Sequence, residues 1–516
     1  MKTTSQISSQ ANPQDLHTIL RLKSPLIVQY EITPACNNNC GFCYNFWQYD
    51  SKAIISRKND VNDKKAKKIL DVLIANEVPA ICYTGGEPFL SKSTLFDLTN
   101  IAHKNNIYTS INSNGRLITK HDAILLKDIG LNSILISLHG DSSTVHNEAV
   151  SSEEAFTQTI RGIENVVSAG INTTVNYVST QKNIDRIVQT AQMLKDMGVK
   201  NMTVTPLLPF PGVKDHEQWA MSKMQFKQYF NSLIIAKEKG LKVDSTLPVA
   251  PCILKDMFPE NYKDYLDILS PRVCMAGVSF MVVSPEGFNR ACIQAPEIKE
   301  YGDNVNTDFN TAWKNSHLWS NIDLLSKECS IDCHALTSCG GGCRTSSLAM
   351  NNSVSGKTMY MGLPINYDDS LEFLKKSEVI VDKNVTSFRK NNNIKLRKED
   401  FGGVLANISN QSFVFLDKDG VKTYENLPNT FSLNDSINPI MSEYRGIRTL
   451  QAAGMIEPIN ALNTGHFLEA QFEINILKKD LLTISASRFY ERLAGRFPLD
   501  NKIRMLRADT GERIYF

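Results

Sequence analysis

The sequence lacks the features that would place the protein in a membrane or on a nucleic acid. No apolar run approaches the length of about 20 residues that a bilayer-crossing helix needs, and the first stretch, MKTTSQISSQANPQDL, has no apolar core resembling a secretory signal. Neither sign of charge is in excess, because 56 Lys and Arg face 54 Asp and Glu, for a net charge of +2. Nucleic acids and membrane surfaces usually require a concentrated basic face. We therefore expect a cytoplasmic protein with neither partner.

Internal repeats and low-complexity tracts are also missing, and no cysteine follows Cys343. With 516 residues and 42% hydrophobic content, the chain can bury ordinary cores in roughly two to four domains. It has 11 cysteines, and all but Cys82 and Cys252 are clustered. In a long cytosolic chain such clustering favours metal or redox chemistry over a disulfide framework. Cys82 lies inside an apolar strand and is expected to be a core residue.

From residue 25 to 206, short apolar runs alternate with amphipathic stretches of helical period. This pattern is typical of repeated β/α units with parallel strands. Six strands are predicted, at 26–33, 80–84, 107–112, 133–138, 171–178 and 201–205. Helices are predicted near 62–76, 94–105, 119–128, 152–168 and 183–197. We therefore predict an α/β fold, a partial TIM-like (β/α)6 barrel that is open on one side.

The rest of the chain divides by composition. The predicted divisions are an N-terminal flexible segment (1–24), the barrel (25–212), a helical linker (213–273), a cysteine-rich domain (274–380), a small C-terminal domain (398–460) and a C-terminal extension (461–516). The cysteine-rich domain has few periodic apolar runs, so metal clusters are expected to hold it together. The small domain is predicted to begin with a hairpin turning near Asn410, followed by a turn at 418–420 and a helix at 437–455.

Three cysteines, Cys36, Cys40 and Cys43, follow the first predicted strand with C-x3-C-x2-C spacing. Three thiolates can bind three irons of a cubane cluster and leave the fourth iron open, whereas a closed electron-transfer site uses four. A zinc site is the alternative, but zinc usually takes a fourth Cys or His, and the loop contains none. After the second predicted strand comes Gly85–Pro88, whose glycine pair lets the backbone approach a ligand closely.

The sequences CNNNCGFC and TGGEP together resemble the paired motifs of the radical S-adenosylmethionine (SAM) superfamily, over residues 25–206. The resemblance implies that the three cysteines hold a [4Fe-4S] cluster whose open iron binds SAM. It also implies that a flavodoxin- or ferredoxin-type donor supplies an electron, and that a 5′-deoxyadenosyl radical then abstracts a substrate hydrogen. The SAM contacts that the resemblance implies are Phe42, Tyr44, Gly85, Gly86, Glu87, Ser137 and Asn176. Where the family pattern usually reads ISxDG this chain reads ISLHG, so His139 is expected to be a hydrogen-bonded histidine at a strand end.

Six later cysteines resemble a SPASM domain, the auxiliary-cluster extension of radical SAM enzymes that modify peptides and proteins. The resemblance implies one or two auxiliary [4Fe-4S] clusters, the first on Cys274, Cys292 and Cys343 and the second on Cys329, Cys333 and Cys339. This chain departs from the family pattern because the usual seventh cysteine is missing and C-x3-C replaces C-x2-C. Each cluster then lacks one thiolate, and Cys252 could complete the first. A zinc ribbon over residues 329–343 is the alternative.

The stretches DFGGVLANISNQSFVFLDKDG and RGIRTLQAAGMI resemble the winged-helix RiPP recognition element, which binds leader peptides of ribosomally made, modified peptides. A structural or dimerising domain is the alternative. Together the resemblances imply radical modification of a precursor peptide by crosslinking, epimerisation or backbone modification. An anaerobic sulfatase maturase is a rival. Members of that group resemble one another in having an Asp directly after the cysteine that corresponds to Cys292, whereas this chain has Ile293 there. A non-catalytic iron–sulfur or peptide-binding adaptor is the other rival, and it would not need a SAM pocket.

Overall fold

The structure, a computed structural model, falls into two compact units. It describes residues 22–45, 62–211, 216–245, 250–260, 276–296, 304–320, 341–361, 387–432 and 454–459, with Tyr265, Cys274, Ser326, Cys329, Leu450 and the short strands 504–507 and 513–514. The larger unit contains Ser24–Asp332 and Gly341–Ile365, and the smaller contains Met1–Lys23, Cys333–Gly340 and Asn366–Phe516. None of the helices in the described residues is both long and apolar enough to cross a bilayer.

The larger unit is organised around one sheet that has nine strands in the described residues. The strands are β1 (Ile27–Thr33), β2 (Ala80–Gly85), β3 (Tyr108–Ser113), β4 (Ser133–Ser137), β5 (Asn172–Ser179), β6 (Asn201–Pro206), β7 (Lys242–Ser245), β8 (Phe280–Val283) and β9 (Asn289–Arg290). Their order is β7-β6-β5-β4-β3-β2-β1-β8-β9, and every pair except β8–β9 is parallel. The six predicted strands are confirmed.

Helices connect these strands as predicted. They are α1 (Asp63–Ala75), α2 (Lys92–Lys104), α3 (Lys120–Asp128), α4 (Ser143–Val150), α5 (Ala155–Ser168), α6 (Ile187–Asp196), α7 (Lys223–Glu238), α8 (Pro251–Met257), α9 (Phe309–Ser316) and α10 (Arg344–Asn351). Side-chain caps fix several starts: Thr119 and Asp122 form a reciprocal capping box at α3, and Ser222 and Gln225 form another at α7. The helix α4 was not predicted, because it is short and its apolar residues lack a clear period.

The sheet extends beyond the predicted six strands at both edges. The strand β7 lies inside the segment predicted to be a helical linker, and β8 lies inside the predicted cysteine-rich domain, where Ile27 of β1 pairs with Phe280. Strands of four residues are too short to show a period in sequence. The cysteine-rich region also has a small apolar cluster around Trp319, against which Cys274 and Cys292 pack. That metal clusters hold this region together stays a prediction.

The two faces of the barrel sheet differ in chemistry. Most of the helix-facing side chains are apolar and buried, among them Tyr83 and Tyr177. Their hydroxyls donate to backbone carbonyls, Tyr83 to Leu98 at 3.0 Å and Tyr177 to Asn183 at 2.6 Å, which satisfies the polar end of each ring. The opposite, inner face is half-buried on β3 to β6. The inner face of these strands is therefore partly exposed and is not covered by large apolar side chains.

The smaller unit is a β-rich domain with the predicted hairpin. Its elements are β10 (Ser387–Lys390), β11 (Ile394–Glu399), β12 (Gly402–Asn407), β13 (Ser412–Asp417), α11 (Lys418–Asn426), β14 (Thr430–Ser432), β15 (Ile456–Pro458), β16 (Arg504–Arg507) and β17 (Arg513–Ile514). Asn407 pairs with Ser412 across the hairpin turn. The predicted turn at 418–420 is wrong, because α11 begins there and buries Val421 and Tyr424 in the domain core. Most of the predicted helix at 437–455 lies outside the described residues.

The boundaries of this domain differ from the predicted ones. The strand β11 begins before residue 398, and β10 precedes it, so the domain includes at least residues from 387 onward. At the other end of the chain, Leu22 is buried and the Lys23 N–H donates to Glu399 Oε2 at 2.9 Å. The end of the predicted flexible segment is thus bound to the C-terminal domain. Arg397 Nε donates to the same carboxylate at 2.6 Å, which pairs the charge inside the domain.

Candidate active site

The three clustered cysteines lie in the loop that leaves the carboxyl end of β1. Burial raises the pKa of the Cys36 thiol to about 12, with further contributions from the Glu87 carboxylate and the Cys43 thiol. Burial also raises the pKa of Cys40 well above its usual value, and Cys43 and Cys36 add to the rise. The fold therefore brings the three thiols into one electrostatic cluster. Such thiols ionise readily only when a cation, such as the irons of a cluster, shares their charge.

Backbone amides already point at two of these sulfurs. The Asn38 N–H donates to Cys36 Sγ and the Asn45 N–H donates to Cys43 Sγ, each at 3.4 Å. Amide hydrogen bonds to sulfur stabilise thiolate ligands of iron–sulfur clusters. No group of three His, Cys, Asp or Glu side chains in the described ranges converges on a single metal ion. Three soft thiols with amide donors fit a cubane, in which each thiolate binds a separate iron.

Two asparagines between the first two cysteines are tied to neighbouring elements. Asn114, after β3, donates from Nδ2 to Asn37 Oδ1 at 2.6 Å. The Asn39 N–H donates to the carbonyl of Val150, at the end of α4, at 3.0 Å. Sequence reasoning missed Asn114, although its position directly after a strand that ends beside β2 was a usable signal. These contacts fix the course of the cysteine loop.

The glycine pair after β2 packs against the start of the cysteine loop. The Gly86 N–H donates to Thr33 O and the Glu87 N–H donates to Ala35 O, both at 2.7 Å. A Cβ on Gly85 would overlap Thr33 O, and a Cβ on Gly86 would overlap Ala35 O. The glycine pair therefore lets the β1 loop approach closely, and its predicted approach to a ligand stays a prediction. The two sequence motifs are joined through these contacts.

Glu87 is buried, and its carboxylate links β2 to β3. It accepts hydrogen bonds from the Phe89 N–H at 3.0 Å, the Ser113 hydroxyl at 2.8 Å and the Asn114 N–H at 2.7 Å. Burial raises the pKa of Glu87, and these donors oppose the rise. Because much of its accepting capacity is used internally, Glu87 organises the loops around the cysteines. Its implied contact with the SAM amine stays a prediction.

Aromatic side chains cover the cysteine loop. Phe42 packs edge-on against Trp219, with ring centres 5.5 Å apart, in an apolar cluster that also includes Leu207 and Phe210. A Cβ on Gly41 would overlap the Trp219 ring, so the glycine in the GFC segment makes room for this tryptophan. Burial raises the pKa of Tyr44, whose hydroxyl bonds to the Thr84 side chain. Sequence reasoning missed Trp219, which packs against Gly41 and Phe42 on one side of the loop.

The His139 ring packs against Phe42. The rings meet edge to face with centres 5.0 Å apart. His139 Nδ1 accepts from the Val178 N–H at 3.1 Å, and the His139 N–H donates to His146 Nδ1 at 3.0 Å. Burial holds the pKa of His139 well below its usual value, so the ring is neutral and Nε2 carries the hydrogen. The expected hydrogen-bonded histidine at a strand end is confirmed.

The inner face of β3 to β6 has a neutral, polar character. Ser137 of β4 lies beside Asn176 of β5, and Asn176 Oδ1 accepts from the hydroxyls of Thr205 at 2.8 Å and Thr203 at 3.2 Å. The half-buried side chains of this face are Ser110, Asn112, Ser133, Leu135, Ser137, Thr174, Asn176, Val178, Asn201, Thr203 and Thr205. None of them is charged. The implied SAM contacts of Ser137 and Asn176 stay predictions, but both residues line this face.

Comparison with known proteins gives the family of this barrel. Residues 30–180 match the model of the Radical SAM superfamily. This segment is a radical SAM domain. It contains the three cysteines, the glycine pair, Glu87, Ser137 and Asn176, so the site described above lies within the matched region.

Relatives and solved structures extend the likeness beyond that domain. An AdoMet-dependent heme synthase of Oleidesulfovibrio alaskensis is 22% identical over 342 residues, covering 63% of this chain and 84% of that protein. The mycofactocin maturase MftC of Mycolicibacterium smegmatis is 24% identical over 357 residues, covering 67% of this chain and 82% of that protein. The structure of Streptococcus suis SuiB bound to precursor peptide SuiA aligns with a TM-score of 0.51 at 19% identity. The alignment covers 68% of this chain and 78% of SuiB. The structural likeness shows a shared fold.

A second group of cysteines lies in the same unit as the radical SAM domain. Burial raises the pKa of Cys292 to about 12, with further contributions from the Cys274 and Cys343 thiols. These three cysteines, assigned by resemblance to the first auxiliary cluster, are therefore brought together. Of the set assigned to the second cluster, the structure describes Cys329, which is half-buried, while Cys333 and Cys339 lie outside the described residues.

A buried ion pair connects this second group to the barrel. Arg290 Nη2 lies 2.5 Å from Glu31 Oε1, and both side chains are almost fully buried. Glu31 belongs to β1 and Arg290 to β9, two residues before Cys292. Removing one partner would leave an uncompensated buried charge, which is strongly destabilising. The pair thus fixes β9 against the strand that leads into the first cysteine loop.

Proposed function

We propose that this chain uses a [4Fe-4S] cluster on Cys36, Cys40 and Cys43 to modify a ribosomally synthesised precursor peptide by radical chemistry. When bound, the cluster and SAM supply a 5′-deoxyadenosyl radical. The chain's own residues hold the cluster loop, exclude water through Phe42 and Trp219, and orient the substrate on the polar inner face. Crosslinking, epimerisation and backbone modification all begin with hydrogen abstraction. The proposal therefore includes all three reaction types.

The uncharged inner face is the observation that favours a peptide. Ser, Thr and Asn side chains both donate and accept hydrogen bonds, as peptide amides do. The heme synthase relative favours a second candidate, a porphyrin, whose carboxylates would require cationic partners. The inner face of β3 to β6 offers no Lys or Arg in the described residues, and Arg290 is already paired with Glu31. The chemistry of this face therefore suits a peptide better.

The proposal is tested by anaerobic assay of the reconstituted full chain with SAM and a reductant. The probes are each short peptide that the neighbouring genes are found to encode and, separately, an iron porphyrin. We expect the peptide to stimulate 5′-deoxyadenosine release and to change in mass. Stimulation by the porphyrin with no change in the peptide would favour the second candidate. A lack of 5′-deoxyadenosine under all conditions would contradict both.

The C-terminal domain is proposed to bind the leader part of that peptide as an added strand at a sheet edge. Deleting residues 387–516 should weaken peptide binding by about tenfold or more, measured by fluorescence anisotropy, because the recognition surface is lost. SAM cleavage without peptide should change much less, because the radical SAM domain supplies it. The cut is placed before β10, since a cut at 398 would divide β11. Equal peptide affinity in the full and shortened chains would contradict a leader-binding role.

Two auxiliary clusters are also proposed, on Cys274, Cys292 and Cys343 and on Cys329, Cys333 and Cys339. With roughly four irons per cubane, the reconstituted chain should bind about twelve irons. The second auxiliary cluster should take a non-cysteine fourth ligand, because no cysteine follows Cys343. Cys329→Ala should lower the iron content to about eight, while Cys82→Ala, a core variant, should leave it unchanged. About eight irons in both the parent chain and Cys329→Ala would contradict the second auxiliary cluster.

An external electron donor of the flavodoxin or ferredoxin type completes the proposal, because SAM cleavage consumes one electron. A cytoplasmic setting is proposed with it. The reducing pools of that compartment keep thiols free for cluster binding.

A further inference from the structure

One guanidinium holds the backbone between Cys36 and Cys40. Arg116 Nη1 donates to Asn37 O and to Asn38 Oδ1, each at 2.6 Å. On its other side, Arg116 Nε donates to Gln158 Oε1 in α5 at 2.7 Å. Because both sides of the planar fork are occupied, the guanidinium is fixed against the cysteine loop.

The backbone that presents Arg116 is equally constrained. The Arg116 N–H donates to Asn114 Oδ1 at 3.1 Å, and the preceding Gly115 adopts a φ of +77°. A Cβ on Gly162 of α5 would overlap Gly115 O, so helix and turn are in direct contact. The turn after β3 thus places this charge with little freedom to move.

The charge of Arg116 is not neutralised by a direct ion pair among the described residues. Its hydrogen-bond acceptors there are the neutral oxygens of Asn37, Asn38 and Gln158. Through Asn37 O and Asn38 Oδ1, each 2.6 Å from Nη1, the guanidinium lies directly against the loop that carries Cys36 and Cys40. A fixed cation therefore lies beside the thiol cluster and is available to compensate negative charge there.

We propose that Arg116 is a positioning residue that shapes the cysteine loop and raises the reduction potential of the cluster bound there. The inference rests on the proposed function, since it requires a cluster on Cys36, Cys40 and Cys43. Reduction adds negative charge to a thiolate-bound cluster, and a nearby cation stabilises the reduced form. Lys could supply the charge but not the planar fork, whose Nη1 reaches Asn37 and Asn38 while its Nε reaches Gln158. Charge and geometry can therefore be separated by substitution.

The test compares Arg116→Gln and Arg116→Lys in the full chain, reconstituted anaerobically. The midpoint potential is measured by redox titration with electron paramagnetic resonance. The signal of the cluster on Cys36, Cys40 and Cys43 is recognised by its change when SAM is added, since only a cluster with an open iron binds SAM. We expect a lower midpoint potential in Arg116→Gln and a value close to the parent in Arg116→Lys. Iron release to a chelator should be several-fold faster in both variants, because both lose the fork. Arg161→Gln, at an exposed position on α5, is the matched control and should match the parent in both measurements.

An unchanged midpoint potential in Arg116→Gln would overturn the electrostatic role, and parent-like iron release in both variants would overturn the positioning role. If Arg116→Gln takes up no iron, Arg116→Lys tests the inference alone. Faster iron release from Arg116→Lys at the parent midpoint potential supports the inference, and iron release at the parent rate contradicts it. Failure of the parent chain to form a SAM-responsive cluster would instead contradict the proposed function.

Discussion

Replacing Cys36, Cys40 and Cys43 together with Ala should abolish SAM cleavage. Fe–S clusters are held by cysteine thiolates, and the structure places these three in one group beside Glu87. Without them no cluster can form at the carboxyl end of β1, and no electron can reach SAM. Liquid chromatography of 5′-deoxyadenosine under anaerobic reduction measures the loss. We expect no signal above the background without enzyme.

Two controls separate this loss from general damage. The triple variant should keep the iron that we propose on Cys274, Cys292 and Cys343, because Cys274 and Cys292 pack against a separate apolar cluster around Trp319. Cys82→Ala removes one buried thiol of β2 and should still cleave SAM. SAM cleavage at the parent rate in the triple variant would remove the basis for the proposed function.

Gly86→Ala should cause the next largest loss. The added Cβ would overlap the carbonyl oxygen of Ala35, which is backbone and cannot rotate away. Overpacking of this kind typically costs about 1–3 kcal/mol. The hydrogen bonds from Gly86 and Glu87 to the β1 loop would also lengthen, displacing the cysteines relative to the loop that follows β2. Since misplacement by an ångström can cost about 100-fold in rate, we expect a loss of SAM cleavage of that order.

Gly170→Ala provides a matched control for Gly86→Ala. Gly170 also has a special conformation, with a φ of +69°, but a Cβ there would meet nothing within 4 Å. Alanine in the left-handed region costs about 1 kcal/mol, so the free energy of unfolding should fall by a comparable amount. SAM cleavage should nevertheless persist, because Gly170 lies at the amino end of β5, away from the cysteine loop. Equal loss of SAM cleavage in both variants would show that stability alone explains the effect of Gly86→Ala.

In the cysteine loop, the ligand spacing is local in sequence, whereas the contacts that hold the loop come from distant segments. The spacing of Cys36, Cys40 and Cys43 after a strand was enough to predict a cluster with an open iron. The purpose of the asparagines between them was not visible, because their partners Asn114, Arg116 and Val150 are distant in sequence. The contacts of the glycine pair with Thr33 and Ala35 were not visible either, because they join two loops that are distant in sequence.

The sequence by itself determined the parallel β/α pattern, because each apolar run and each amphipathic stretch has a local period that burial requires. It also predicted which cysteines would bind a cluster, since ligand chemistry depends on residue type and spacing within one loop. Only the tertiary structure decided that β7 and β8 extend the sheet, that α11 replaces a predicted turn, and that Arg290 pairs with Glu31. Those features depend on contacts between segments far apart in the chain. Pairing energy and packing, rather than local period, select them.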